Sequence, residues 1–475
     1  MAHNHGNQQI HHSHKAKEET KKSKQTPLHL LLLFFLVSFT LLFACRFLLI
    51  SPTSLLAFFG DKDIKTYDAA RTTTHSQPPC SSLPNYSICC ERRNYHGDIC
   101  FMLGDIRTHS PSSSVLLYPR TLNKSISITE ERIRPYNRKW EGPIMDRIDE
   151  LHLRIASKGG DSRQCEVRHD VPAIFFSAGG YTGNIFHDFN EGIIPLYITS
   201  HHFHRHVVLV VLNYRHWWFP KYREILAGLS GYPIIDFSTD TRTHCFRQAT
   251  VGLRFHETLS INPSQLPDNK TMFDFRQMLA EAYEPRFKRE RRDGPPKLVI
   301  ISRKKTRAIE NEEEVVRLAK EVGFDVEVVT PADTMPMKRM YALLSSCDVM
   351  MGVHGAAMTH FLFMRPGSKF IQIVPLGVEK VAWTCYGEPA TKMGLKYEEY
   401  KILARESSLY QRYGEEDPVV KDPDSVRANK GWEVTKELYL KGQNVTLDAG
   451  RLRKTLARVF KRVALERREE KVDVV

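Results

Sequence analysis

The chain is polar and basic over residues 1–27, becomes strongly apolar from Leu28 to Ile50, and settles into regular alternation only much later. Leu28 to Ile50 reads LHLLLLFFLVSFTLLFACRFLLI, broken only by His29 and Arg46. About 20 such residues span a bilayer as a helix, and Arg46 lies near enough to one end to snorkel. The pattern predicts a transmembrane signal-anchor helix over 28–50. A cleaved signal peptide is the rival reading, but its apolar core is usually only about 7–15 residues, with a small-x-small site soon after. Residues 51 to about 130 alternate Ser, Thr, Pro and cysteine-rich patches with little periodicity. They read as a stem over 51–130, its end tied to the body by cysteines and Ile99–Leu103.

Beyond Val171 the periods become clear. AIFF (Ala173–Phe176), VVLVVL (Val207–Leu212) and PIIDF (Pro233–Phe237) predict three buried strands. Between them IFHDFNEGIIPLYITSHHF and KYREILAGLSG predict helices. After a charged linker, EPRFKRERRDGPPK, the alternation restarts with LVIIS, VEVVT, DVMMG and FIQIVP as strands. Val315, Leu318, Ala319 and Val322 form the i, i+3, i+4, i+7 stripe of an amphipathic helix, and MKRMYALLSS predicts another. Strands alternating with helices at this spacing imply parallel βαβ units. The fold expected is α/β, with two doubly wound Rossmann-type domains facing a cleft, over 131–290 and 291–440. Ligands bind such sheets outside the carboxyl ends of the strands. Leu452, Leu456, Val459 and Val463 share one face of a final helix, within 441–475, which packs back on the body.

Charge and cysteines set the compartment. Lys15, Lys17, Lys21, Lys22 and Lys24 precede the apolar segment, which places 1–27 in the cytosol and the remainder in a lumen. Four sequons, at Asn85, Asn123, Asn269 and Asn444, follow that segment, as do eight of nine cysteines. An even count in an oxidising lumen points to disulfides. The net charge of +13 admits nucleic acid, an anionic membrane or an anionic small substrate. No zinc-finger, RNA-recognition or basic-zipper pattern favours nucleic acid.

The chemistry sits at three turns. GVHGAAMTH (Gly352–His360) leaves a buried strand through small residues, so helix-terminal amides could cradle a phosphate and His354 could donate to it. Tight packing alone would produce the same turn. SRKKTR (Ser302–Arg307) follows the first strand of the same half, and Arg303 and Arg307 there could hold a diphosphate and stabilise its departure. In the first half GGYTGN (Gly179, Gly180, Gly183 and Asn184 among its residues) opens a helix carrying His187, Asp188 and Glu191. Any of those three could be the general base that deprotonates an acceptor hydroxyl. Asp61-Lys-Asp63 abuts the apolar segment and Asp422-Pro-Asp424 lies in a polar loop. Neither stands after a buried strand, so a cationic cradle without a metal is the simpler expectation.

FSAGGYTGNIFHDFNEGIIPLYITS, ISRKKTR, CDVMMGVHGAAMTHFLFMRPGS, YGEPATKMGLKY and GQNVTLD, spread over about residues 165–450, resemble the plant members of glycosyltransferase family 61. The resemblance implies an inverting, metal-independent GT-B enzyme whose second domain binds a UDP-sugar. Arg303, Arg307, His354, Gly355, Ala356, Ala357 and Thr359 become donor-site candidates, and Gly179, Gly180, Gly183 and Asn184 an acceptor-side loop. The expected activity is transfer of xylose or arabinofuranose to a xylan side-chain position by a Golgi type II membrane protein, in company with other Golgi transferases. An N-glycan core xylosyltransferase and a non-catalytic polysaccharide-binding scaffold are the alternatives. Many relatives read closer to GAGLTN where this chain has GAAMTH, so Ala357 and His360 bear on the choice of donor.

Overall fold

In the computed structural model the described residues are 80, 82–119, 130–156, 163–284, 294–332 and 335–472. The predicted cytosolic tail, the segment 28–50, most of the predicted stem, Asn123 and much of the charged linker lie outside them. Among the described residues no helix is long and apolar enough to cross a membrane.

Among the described residues fifteen strands form two sheets. The first sheet takes β1 (Ser87–Glu91), β2 (Ile99–His109), β3 (Ser114–Tyr118), β4 (Glu130–Ile133), β5 (Leu151–Ile155), β6 (Val167–Arg168), β7 (Ala173–Ser177), β8 (Val208–Leu212), β9 (Ile235–Asp236) and β10 (His244–Val251). Its main path runs β4-β5-β3-β2-β10-β7-β8-β9, with β1 on β2 and β6 on β10. The second sheet takes β11 (Lys297–Ile301), β12 (Asp325–Val329), β13 (Val349–Val353), β14 (Lys369–Val374) and β15 (Lys396–Lys401), in the order β12-β11-β13-β14-β15.

The second sheet is parallel throughout, and its three inner strands β11, β13 and β14 are the buried, mainly apolar runs that such a sheet calls for. The first is mixed: β7, β8, β9 and β10 are parallel, whereas β2 is antiparallel to β10, β3 and β1. This corrects the expectation of two doubly wound domains. It also corrects the stem, because β1, β2 and β3 are sheet strands. Disulfides Cys80–Cys89 and Cys90–Cys100 fasten this added layer, and Cys165–Cys245 ties the approach to β6 onto β10. Cys347 and Cys385 remain thiols.

Alternation along the buried strands builds the core on both faces. Strand β7 sends Ile174 and Phe176 to one cluster and Ala173 and Phe175 to another. The Ile174 cluster also contains Val299, Ile301, Met358 and Phe361 from the second half, so the two halves share a hydrophobic core. The helix Ala449–Val472 lays Leu452, Leu456, Val459 and Val463 on the far face of the second sheet, as the stripe predicted. Each such fully buried side chain contributes about 1.5–3 kcal/mol of burial free energy.

Strand order reverses between β11 and β13, and the loops leaving these two strands open at that point. A crevice at such a reversal is where parallel sheets accept ligands. The loops are SRKKTR and VHGAA.

Candidate active site

In the second half, Gly355 is held at φ +152°, a conformation that side-chain-bearing residues rarely adopt. A Cβ there would stand 2.5 Å from Arg303 Nη1 and 3.3 Å from Arg307 Nη1. The missing side chain is therefore what lets both guanidinium groups close on the turn. Arg303 Nε donates to the Thr306 carbonyl at 2.9 Å, which fixes its stem. Arg307 adopts a left-handed φ of +54°, and its Nε is buried without a hydrogen-bond partner. Such strain is stored where the surrounding structure enforces it. Burial lowers the proton affinity of both arginines, Arg307 to about 10, with the neighbouring Arg303 adding to the effect. Two close cations with few internal acceptors make a site for an anion.

The segment GQNVTLD holds the arginine loop in place. The Gln443 carbonyl accepts from the Arg307 N–H at 2.8 Å, and Asn444 Oδ1 accepts from the Ala308 N–H at 3.1 Å. Asn444 Nδ2 also donates to Glu310 at 3.2 Å, so this sequon side chain serves the loop, whereas Asn85 and Asn269 are exposed.

His354 is buried at the end of β13. Gln372 Nε2 donates to its Nδ1 at 2.8 Å, and Tyr397 donates to Gln372 Oε1 at 2.7 Å. This orientation puts the proton of the neutral ring on Nε2. Burial, then Arg307 and Arg303, keep the imidazole neutral. His354 is thus a fixed neutral donor beside two arginines. Lys304 pairs with Glu312 at 2.9 Å on the surface, and Lys305 is exposed.

The turn after Gly355 is a 3-10 helix, Ala356–Phe363, and not the α-helix start the sequence suggested. Seven of its eight residues other than His360 carry no charge or ring nitrogen, and Met358, Phe361, Leu362 and Phe363 sink into the shared core. Tyr386 reaches Thr359 and lies 5.3 Å from the His354 ring. His360 Nδ1 donates to the Ala357 carbonyl at 2.8 Å, and burial lowers its proton affinity to about 4. A cavity of about 180 Å³ separates this helix from the first half, lined by Gly183, Asn184 and Ile185 on one side and Ala356, Ala357 and His360 on the other. The two residues that depart from the family pattern, Ala357 and His360, therefore face this cavity.

In the first half, the helical run Ile185–Ser200 contains a π-helical turn at Asp188–Ile193. Pro195 cannot donate to the Glu191 carbonyl four residues back, and Asn137 Nδ2 donates to it at 3.3 Å. The turn presents His187 and Glu191 together. His187 Nδ1 lies 2.9 Å from Glu191 Oε2, while Asn190 Nδ2 donates to Glu191 Oε1 at 2.8 Å and Arg138 approaches it at 3.5 Å. The Glu191 side chain is fully buried and that of His187 is partly open. With Nδ1–H donating to the carboxylate, His187 Nε2 keeps a lone pair: a base with its orienting partner.

Asp188 has another task. Its Oδ1 accepts from the Gly183 N–H and the Trp218 indole, each at 3.0 Å, and its Oδ2 from the Tyr222 hydroxyl at 2.8 Å. Burial raises its proton affinity against those hydrogen bonds. Both oxygens are committed to these donors, so Asp188 locks the glycine loop and is a less available base than His187. Gly180, at φ +63°, lets that loop pass over the Tyr136 ring, whose hydroxyl accepts from the Tyr181 N–H at 3.1 Å. Sequence reasoning missed Arg138, Asn137, Tyr136, Gln372 and Tyr386. Only their arrival from other strands and loops reveals them. Among the described residues no group of three or more His, Cys, Asp or Glu is placed to hold a metal ion.

Residues 182–371, which hold most of this site, match the family model Glycosyltransferase 61. The chain is 48% identical over 454 residues to the xylan glycosyltransferase MUCI21 of Arabidopsis thaliana, covering 92% of this chain and 91% of that one. It is 37% identical over 399 residues to the beta-1,2-xylosyltransferase XYXT1 of Oryza sativa subsp. japonica, covering 80% and 85%. The alpha-1,3-arabinosyltransferase XAT3 of the same rice is 35% identical over 380 residues, covering 77% of this chain and 64% of its own length.

Proposed function

This chain belongs to glycosyltransferase family 61, and we propose that it moves a pentose, xylose or arabinofuranose, from a UDP-sugar to a side-chain position of xylan. The observation that carries the proposal is the convergence of Arg303 and Arg307 on Gly355 at the strand-order reversal, with neutral His354 beside them. Xylan as acceptor is supported by the relative MUCI21, a xylan glycosyltransferase, and a pentose donor by the xylosyl- and arabinosyltransferase relatives.

In this reading the architecture is GT-B-like, the second half holds the UDP-sugar and the first half the acceptor. His187 Nε2 takes the proton of the acceptor hydroxyl. The acceptor oxygen bonds to the anomeric carbon as the bond from that carbon to the phosphate oxygen breaks, so the configuration inverts. Glu191 stabilises the imidazolium that forms, and the departing UDP carries its charge onto Arg303, Arg307 and the His354 Nε2–H. No metal is required, because fixed cations already face the diphosphate. The protein works as a type II Golgi membrane protein, anchored through 28–50 with its catalytic region in the lumen.

The test offers the full chain UDP-xylose, UDP-arabinofuranose and UDP-GlcNAc separately, with a xylan oligosaccharide and with or without chelator. Pentose transfer that survives chelation, with an inverted linkage by NMR, is the expected result. Turnover of no pentose donor on xylan, from protein that binds UDP, would overturn the acceptor assignment.

A further inference from the structure

Resting on that reading, the crevice leads away from the arginine cradle in two directions. The cradle sits on the loops that leave β11 and β13, neighbouring strands in the middle of the second sheet. Toward β14 the neighbours lead to the base. Tyr386, from the crossover between β14 and β15, lies 5.3 Å from the His354 ring and 5.9 Å from the ring of Phe186, next to His187. Toward β12 the neighbours lead to the cavity beside Ala356 and Ala357. Met337 and Met340 line it from the first turn of the helix Met337–Ser346, which follows β12, and Met335 lines it from the loop before that helix.

A sugar nucleotide has two ends joined through its diphosphate. With the diphosphate on the cradle and the anomeric carbon turned toward His187, the nucleoside extends the other way, toward β12. The cavity lies on that path.

The polar groups of the cavity narrow what it takes. His360 is 5% exposed and lines it. The His360 Nδ1 proton is engaged with the Ala357 carbonyl at 2.8 Å, so Nε2 presents a lone pair, and no described residue donates to it. Lys221 of the first half also lines the cavity, within electrostatic range of His360, and forms no ion pair among the described residues. Asn184 lines it too. Its Oδ1 accepts the Phe186 N–H at 3.1 Å, which leaves both Nδ2 protons unspent.

One acceptor and two donor groups thus stand beside an apolar methionine wall. Such a set reads a planar base along its edge while the faces of the base pack on apolar side chains. Uracil carries one N–H between two carbonyl oxygens, the complement of one acceptor and two donors. Cytosine has a bare ring nitrogen in place of that N–H. Against His360 Nε2 it would set two lone pairs face to face with no proton between them.

We propose that this cavity is a uracil subsite shared by the two halves, with His360 Nε2 accepting the ring N–H and Lys221 and Asn184 donating to the carbonyl oxygens. The first half thereby helps to hold the donor as well as the acceptor.

The test is calorimetric titration of the full chain with UDP, CDP and inorganic pyrophosphate, alongside a thermal melt of each variant. The native protein is expected to bind UDP at least about tenfold more tightly than CDP. His360→Phe, which keeps a flat ring without an acceptor, should abolish most of that preference. Lys221→Met should weaken UDP about tenfold and leave pyrophosphate unchanged. Equal native affinities for UDP and CDP, or a full preference in a His360→Phe variant that melts normally, would overturn the subsite. So would a Lys221→Met loss as large for pyrophosphate as for UDP, because it would put that lysine on the diphosphate. A preference for UDP without pentose transfer would instead uphold the subsite and refute the proposed reaction.

Discussion

The two halves of the site treat their charged groups in opposite ways. In the first half the buried carboxylates are saturated: Asp188 accepts three hydrogen bonds and Glu191 meets His187, Asn190 and Arg138. In the second half the cations are left short: Arg307 Nε is buried without a partner, and burial presses on both arginines. A buried polar group without a partner costs about 1–3 kcal/mol, more when charged. The difference is one of pairing: Arg138 of the first half meets Glu141 and Glu191, whereas among the described residues Arg303 and Arg307 are burdened by burial with no carboxylate beside them, which suits an anionic ligand. On that contrast rests the proposed division of labour, with the acceptor chemistry in the first half and the diphosphate in the second.

That contrast can be broken most sharply at the base. His187→Ala should lower kcat/KM about a thousandfold, within the usual range for a general base, with the melting temperature little changed. Glu191→Gln should lower kcat less. A fully active His187→Ala enzyme would remove the first half from the chemistry.

Asp188 tests whether saturation is structural. Asp188→Ala strands three donors on Gly183, Trp218 and Tyr222, and should cost about 3 kcal/mol of stability in denaturant titration. An enzyme as stable as the native one, but inactive, would return Asp188 to the catalytic group.

On the second half, Gln372→Leu frees the His354 ring to change tautomer and should weaken UDP binding about tenfold, the worth of one hydrogen bond. Unchanged UDP affinity would mean that His354 packs and does not donate.

The smallest effect is on pH. His256 and His360 have proton affinities lowered to about 4 by burial, and that of His354 is also lowered well below the ordinary value. Their unfolded forms bind protons below about pH 6.5, whereas the folded forms resist. Folded protein therefore binds fewer protons in this window, and the melting temperature should fall as pH drops from about 6.5 toward 4. A melting temperature that rises over that interval would contradict the buried, neutral histidines.

The parallel core was legible because its strands are short apolar runs separated by amphipathic helices. Ala173–Ser177, Val208–Leu212, Lys297–Ile301 and Val349–Val353 all lie within a residue or so of their predicted runs. The amino-terminal strands of the first sheet were not, because Ile99–His109 mixes buried and half-buried positions in a cysteine-rich stretch that reads as irregular. The arginine loop and the glycine turn were visible as motifs, since small residues and cations both follow buried strands of one sheet, though packing alone could have explained the turn. Which of His187, Asp188 and Glu191 is the base could not be read from their spacing. Trp218, Tyr222 and Asn137, which set their surroundings apart, arrive from other parts of the chain.

The most direct test is a calorimetric titration of UDP into the full chain with chelator present, repeated with Arg303→Ala and Arg307→Ala together. The account predicts that the native protein binds UDP without added metal and that the double variant loses at least about a hundredfold in affinity while melting normally. UDP binding that vanishes with chelator in the native protein, or survives the loss of both arginines, would contradict it.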